Sequence, residues 1–408
     1  MKRYWEIDAL RGLMLVLMTV THLPTQLTDP LGQPFGFVSA AEGFVLLSAF
    51  VAGLVYSRIG HARGVNAMRI AFWRRVVKVY LCQAAILLFL FTVIAALGLH
   101  IDQPAVKNLV SYYLAEPRDG FLYGLLLIYE PALLDILPMY IFFMLMSPWV
   151  LAFAMRHGWT LVMVASVAVW AAAQFGVSEW IYALAVRYLG VPVPFHEMGA
   201  FNTYAWQFLW FAGLCIGATR NGPDARPLRF PWWLLVLAAG IALYGVYWRH
   251  TGINGQAPFG GDVELNLLFD KWQLGPLRLV NLVALGILAV RFGSWLMRKL
   301  PRMHWLEAMG AASLPVFCAH LVAVLLVLTF YGDSQTARPW WGDGLLLLAV
   351  FTGMYIVARF TRAADVPPPA DDVPSEPEAV QGGRGIGCPG AGAGAAGKCS
   401  AITECHSR

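Results

Sequence analysis

Apolar residues run along this chain in long blocks, punctuated by short polar connections. The blocks fall near 9–27, 36–57, 78–99, 131–155, 159–176, 203–219, 231–248, 276–296, 308–331 and 343–361. Each can cross a hydrocarbon core of about 30 Å as a helix. The pattern predicts an all-α polytopic membrane protein, a bundle of about ten transmembrane helices. Residues 121–130 are apolar but too few to span, so they read as interfacial or re-entrant. At residue 363 the pattern ends in prolines, acids and a Gly/Ala/Cys-rich run. Such a segment cannot bury enough apolar surface to fold. A membrane domain over 1–362 and a disordered tail over 363–408 are therefore expected.

The first block breaks its own pattern. Asp8, Arg11 and His22 interrupt it, and ionisable groups inside a span are costly and mark substrate paths or sites. Asp8 and Arg11 are three residues apart and share a face. Arg11 and His22 are eleven apart, about three turns, which puts them on one face roughly 16 Å apart along the axis. A polar stripe thus runs from one membrane surface towards the other. The same charges argue against a cleavable signal peptide, although Met1-Lys2-Arg3 precedes the apolar run.

Composition supports the class: 59% of residues are hydrophobic and 13% charged, about half the charge of a soluble domain. The net charge of +5 implies no nucleic acid, because the location of the positives accounts for it. Eighteen Lys and Arg fall in one set of alternate connections and seven in the other. By the positive-inside rule, both termini are expected in the cytoplasm. The longer, Gly/Pro/aromatic-rich loops would then face the periplasm. Cys82, Cys215 and Cys318 lie in apolar blocks and Cys388, Cys399 and Cys405 in the tail; none has metal spacing. No P-loop, HExxH or dinucleotide motif occurs in a supporting context.

On this topology Glu42 is expected two turns down the second helix, level with His22. A carboxylate there would orient the imidazole as a general base, or the two would simply brace adjacent helices. Asp135, Asn202, Gln207, Lys271 and Arg278 fall near the same outer level among dense aromatics, a mixture suited to sugar rings and equally to an interfacial belt. His320 is expected near mid-membrane. The cytoplasmic connection 58–78 carries Arg74, Arg75 and Lys78. These can grip phosphates or merely anchor the helix at lipid headgroups.

The opening Trp5-Glu-Ile-Asp8-Ala-Leu-Arg11-Gly12, with ten residues between Arg11 and His22, resembles the signature of the transmembrane acyltransferase-3 superfamily. The finer resemblance is to the OpgC family, which succinylates osmoregulated periplasmic glucans. It is carried by Ser39-Ala-Ala-Glu42, Leu134-Asp-Ile-Leu-Pro-Met-Tyr140, Phe201-Asn-Thr-Tyr-Ala-Trp-Gln207, Asp270-Lys-Trp-Gln and Ser313-Leu-Pro-Val-Phe-Cys-Ala-His320. Val79-Tyr80 departs from it, standing where many superfamily members have a proline. The resemblance implies a cell inner membrane enzyme with no bound cofactor. It also implies an acyl-CoA donor, succinyl-CoA above all, from the cytoplasm and a glucan hydroxyl acylated outside.

The resemblance gives Arg11 and His22 functional roles and puts Arg11, Arg74, Arg75 and Lys78 at the CoA. In the expected mechanism Asp8 positions Arg11, His22 takes the proton, and Glu42 orients the imidazole. Asp135, Gln207 and His320 would meet the acceptor, and Lys271 or Arg278 would hold a free carboxylate on the acyl group. The competing expectation is a transporter or flippase for a glycan or lipid-linked substrate, which also places charge in mid-membrane. Against it stands the clustering of ionisable groups in the first two helices.

Overall fold

The computed structural model describes residues 5–220, 230–251, 258–334 and 338–364. The expected tail lies outside these apart from its first two residues. Eleven helices carry the architecture: α1 (Trp5–His22), α2 (Ala40–Phe89), α3 (Ile136–His157), α4 (Thr160–Ala173), α5 (Val177–Leu189), α6 (Thr203–Thr219), α7 (Trp232–Thr251), α8 (Pro276–Lys299), α9 (His304–Ala311), α10 (Ser313–Tyr331) and α11 (Trp340–Ala364). Among the described residues there is no strand, only a single bridge between Glu130 and Met198.

Local chemistry sets the ends of these helices. Glu6 and Asp8 occupy the first turn of α1 and His22 its last turn, the charge order that the helix dipole favours. Ser39 and Glu42 form a capping box that starts α2 at Ala40. Glu42 therefore lies in the first turn rather than two turns down. Asn202 caps α6 by accepting the Tyr204 and Ala205 N–H groups.

Gly64 has φ 84° and ψ 164°, outside helical space. There α2 doubles back. The rings of Tyr56 and Phe72 stack with centroids 3.8 Å apart, whereas an unbroken helix would hold residues sixteen apart at roughly 24 Å. The two arms of α2 correspond to the blocks 36–57 and 78–99, and the basic connection between them is helical.

Helix α1 touches α2, α9 and α10, so the polar stripe is enclosed by protein. Where α1 crosses α9, a Cβ at Gly12 would strike the Leu306 carbonyl and one at Gly310 the Asp8 carbonyl. Glycine at these positions lets the backbones meet, as small residues do between membrane helices. Gly53, Gly213 and Gly217 do the same between α2 and α6. The backbone breaks at Ala312 (φ −101°, ψ 38°), splitting the expected span 308–331 into α9 and α10.

Six helices among the described residues are long and apolar enough to cross a membrane; α4 and α5, bent by 79°, add a seventh if the pair is one span. This is fewer than ten, for local reasons. The folded-back α2, continued to His100, counts once; α1 carries Glu6, Asp8 and Arg11; α6 has 17 residues. The protein is a multi-pass membrane bundle.

Substituting Gly310→Ala should lower the melting temperature in detergent, at a cost of about 1–3 kcal/mol or more for overpacking. Gly286→Ala on α8, with nothing within 4 Å of the added Cβ, should leave it unchanged or slightly raised.

Candidate functional site

The stripe on α1 opens into two cavities. One, of about 810 Å³, is lined by Arg11, Tyr56, Arg75, Lys78, Tyr140 and Ser313 among others. The second, of about 660 Å³, is lined by His22, Asp29, Asp135, Arg249, Lys271, Trp272 and Arg278 among others. Arg11 and His22 therefore share a helix face, as their spacing predicts, but serve different chambers.

In the first chamber Arg11, only 8% exposed, donates from Nη2 to Ser313 Oγ at 2.6 Å. Asp8 is buried one turn earlier on α1. Arg75 and Lys78 lie one turn apart on α2 and reach the same space. Arg74 does not. One residue is about 100° around a helix, and this turns Arg74 towards a separate crevice beside Trp73, Met144 and Trp149. The expected triplet of basic groups on α2 thus becomes a pair.

The second chamber holds the imidazole. His22 Nδ1 lies 3.2 Å from His320 Nε2, and His320 Nδ1 lies 2.7 Å from the Phe317 carbonyl. The rings are inclined by only 20° with centroids 5.5 Å apart, the edge-to-edge arrangement that an N–H···N bond requires. A carbonyl only accepts, so His320 Nδ1 carries its hydrogen. With His320 in its neutral form, Nε2 is the acceptor and His22 donates from Nδ1. This chain of bonds fixes the tautomer of His22 and leaves its Nε2 with the lone pair.

Glu42 does not take the expected place beside His22. Fully buried, it accepts from the Ser39 backbone N–H at 3.0 Å and from the Ser39 hydroxyl, and it pairs with Arg278 Nη1 at 2.5 Å. The start of α2 at Ala40 turns the carboxylate towards its own cap and α8. Arg278 also donates from Nε to the Phe269 carbonyl at 3.0 Å, so two of its donor atoms are already engaged. His320, expected at the acceptor, instead stands behind His22, completely buried on α10. Gln207 is likewise structural: it accepts from Ser166 Oγ and donates to the Ser166 carbonyl, both at 2.7 Å, bracing α6 against α4.

Asp135 and Lys271 do face the second chamber. Asp135 accepts the Ala200 N–H at 3.1 Å. The Lys271 ammonium lies 4.4 Å from the Trp272 ring centre and 5.6 Å from that of Phe201. Burial pulls Lys271 below the ordinary lysine value, and Arg278 adds to this, while Glu42, Asp135 and Asp270 oppose it. Glu130, near Asp135, is pushed well above the usual carboxylate range by burial and by the Asp135 charge. Arg249, in the last turn of α7, also lines this chamber and donates to Gln33 Oε1 at 3.2 Å.

A clamp fastens the loop after His22. On α11 and the residues before it, Asp343 accepts from Arg338 Nε and from the Gln26 N–H, each at 3.0 Å. Arg338 also donates to the Pro24 carbonyl.

The OpgC protein family matches residues 3–365. The chain belongs to the OpgC protein family. No curated protein and no solved structure matches it. Membership in OpgC points to a membrane-held transferase that modifies glucans. Both chambers lie within the matched residues.

Glu42→Ala should be strongly destabilising, by about 3–5 kcal/mol, because it leaves Arg278 buried without its partner. Adding Arg278→Met should restore much of the loss, as read by thermal unfolding of the two singles and the double.

Proposed function

We propose that this OpgC protein is a membrane O-acyltransferase that carries an acyl group, succinyl in the first instance, from cytoplasmic acyl-CoA to hydroxyls of a periplasmic glucan. The observation that carries the reading is the His22–His320 pair on the wall of the second chamber, which presents an imidazole lone pair where an acceptor hydroxyl can enter.

In this reading the Arg11 chamber opens towards the cytoplasm. Its Arg11, Arg75 and Lys78 hold the phosphates of the donor, for which guanidinium forks are well suited. The pantetheine arm then follows the stripe across roughly 16 Å to the level of His22. A glucan hydroxyl lies against Trp272 and Phe201, with Asp135 accepting a second hydroxyl. His22 Nε2 takes the proton as the hydroxyl oxygen attacks the thioester carbon. Collapse of the tetrahedral intermediate forms the ester and expels the thiolate, which takes that proton back from His22. The exchange balances without a further reactant. Lys271, held over the Trp272 ring, and Arg249, hydrogen-bonded to the neutral Gln33, receive the free carboxylate of a dicarboxylic acyl group.

His22→Ala should cost about a hundredfold or more in transfer without lowering the melting temperature. His320→Ala should lower kcat at least tenfold, with the donor KM little changed, because the tautomer is released. His320→Gln, whose side-chain carbonyl can accept the same bond, should recover part of the loss. The check is mass spectrometry of glucans incubated with purified protein and succinyl-CoA. A ladder of succinyl increments made by wild type and absent with His22→Ala supports the reading. Intact glucans with every donor would favour a transporter.

A further inference from the structure

The two chambers do not merge. Between them lies a constriction with about 20 Å³ of room, little more than one water occupies. One rim shares Arg11, Ser48, Arg75, Tyr140, Ser313 and Leu314 with the Arg11 chamber, and the other shares Ile136 with the His22 chamber. Beside it lie the near-parallel rings of Phe44 on α2 and Phe317 on α10, inclined by 20° with centroids 5.9 Å apart. Val45, Leu137 and Leu314 complete an apolar collar.

This collar lies between the groups suited to phosphates and the group suited to removing a proton. A nucleotide head is too large and too charged to pass it. The reacting carbon must nevertheless reach His22, about three turns of α1 beyond Arg11. Only the thin end of a donor can bridge the two, and it must pass the two aromatic rings, which have to part for it. An apolar constriction of this width also excludes water by dewetting.

We propose that Phe44 and Phe317 determine donor specificity by cross-section, passing straight-chain acyl groups, rejecting branched ones, and sealing the path when no donor is present. The selective role rests on the acyl-transfer reading; the seal does not. Phe44 is the cleaner residue to change, because the Phe317 ring also packs edge-on against His320 at 4.8 Å.

Two donors of equal charge and mass separate shape from chemistry: succinyl-CoA, which is straight, and methylmalonyl-CoA, its branched isomer. Wild type in proteoliposomes should prefer the straight donor at least tenfold in kcat/KM. Phe44→Ala should cut that preference below threefold. Phe44→Trp should lower kcat at least tenfold while the Kd for CoA stays within threefold. A preference unchanged in Phe44→Ala, or none in wild type, overturns the selective role. If wild type transfers neither group, the selective role fails; if it transfers no acyl group from any acyl-CoA, the acyl-transfer reading fails with it. Passive proton flux then decides the seal alone: a rise of fivefold or more in Phe44→Ala upholds it, and an unchanged flux overturns it.

Discussion

Lipid offers no hydrogen bonds, so a polar stripe on a membrane helix exists only if the protein encloses it. This constraint organises the bundle around α1. Arg11 is met by Ser313 and His22 by His320, both supplied by α10. The break at Ala312 and the glycine contact between α1 and α9 bring α10 alongside. Glu42 and Arg278 obey the same rule one layer out, with each charge held by the other and by a neighbouring backbone group. Their pairing ties the start of α2 to the start of α8 at the floor of the His22 chamber.

The division into two chambers follows from where that enclosure is polar and where it is not. Arg11 and His22 are far enough apart on α1 for one turn of purely apolar packing to fit between them. Phe44, Val45 and Phe317 fill that turn. A continuous polar channel would conduct water, and an apolar core would admit no charged group. Two polar chambers separated by a hydrophobic collar avoid both. The histidine pair sits just beyond the collar, with the Phe317 carbonyl setting its tautomer and the Phe317 side chain narrowing the passage.

Much of this was legible in the sequence, and the rest was hidden for identifiable reasons. Long apolar blocks declare membrane helices, and the eleven-residue interval from Arg11 to His22 declares one face; the described structure has both. Helical phase was harder to use. Arg74 and Arg75 are adjacent in a basic run, and only the packing of α2 shows that one enters the chamber and the other does not. Glu42 was placed beside His22 because both fall near one depth, but depth does not give azimuth, and the Ser39 cap fixes azimuth. A signal for the true partner was present. Ser313, Phe317 and His320 are spaced four and three residues apart, a single stripe on α10 that could have been matched to the stripe on α1. Gln207 is withdrawn from the site for a similar reason, since a buried amide with a hydroxyl opposite is satisfied locally, while Arg249 in the last turn of α7 lines the chamber.

The clamp formed by Arg338 and Asp343 has a consequence for biogenesis. The loop that follows His22 is secured by residues at and just before the start of α11, more than three hundred positions later. A ribosome-bound chain that has not yet inserted α11 would have its imidazole in the bilayer without the fastening that holds its loop. The loop beside the chamber is fastened only when α11 arrives, so a partly synthesised chain has an unfinished site as well as an unfinished fold.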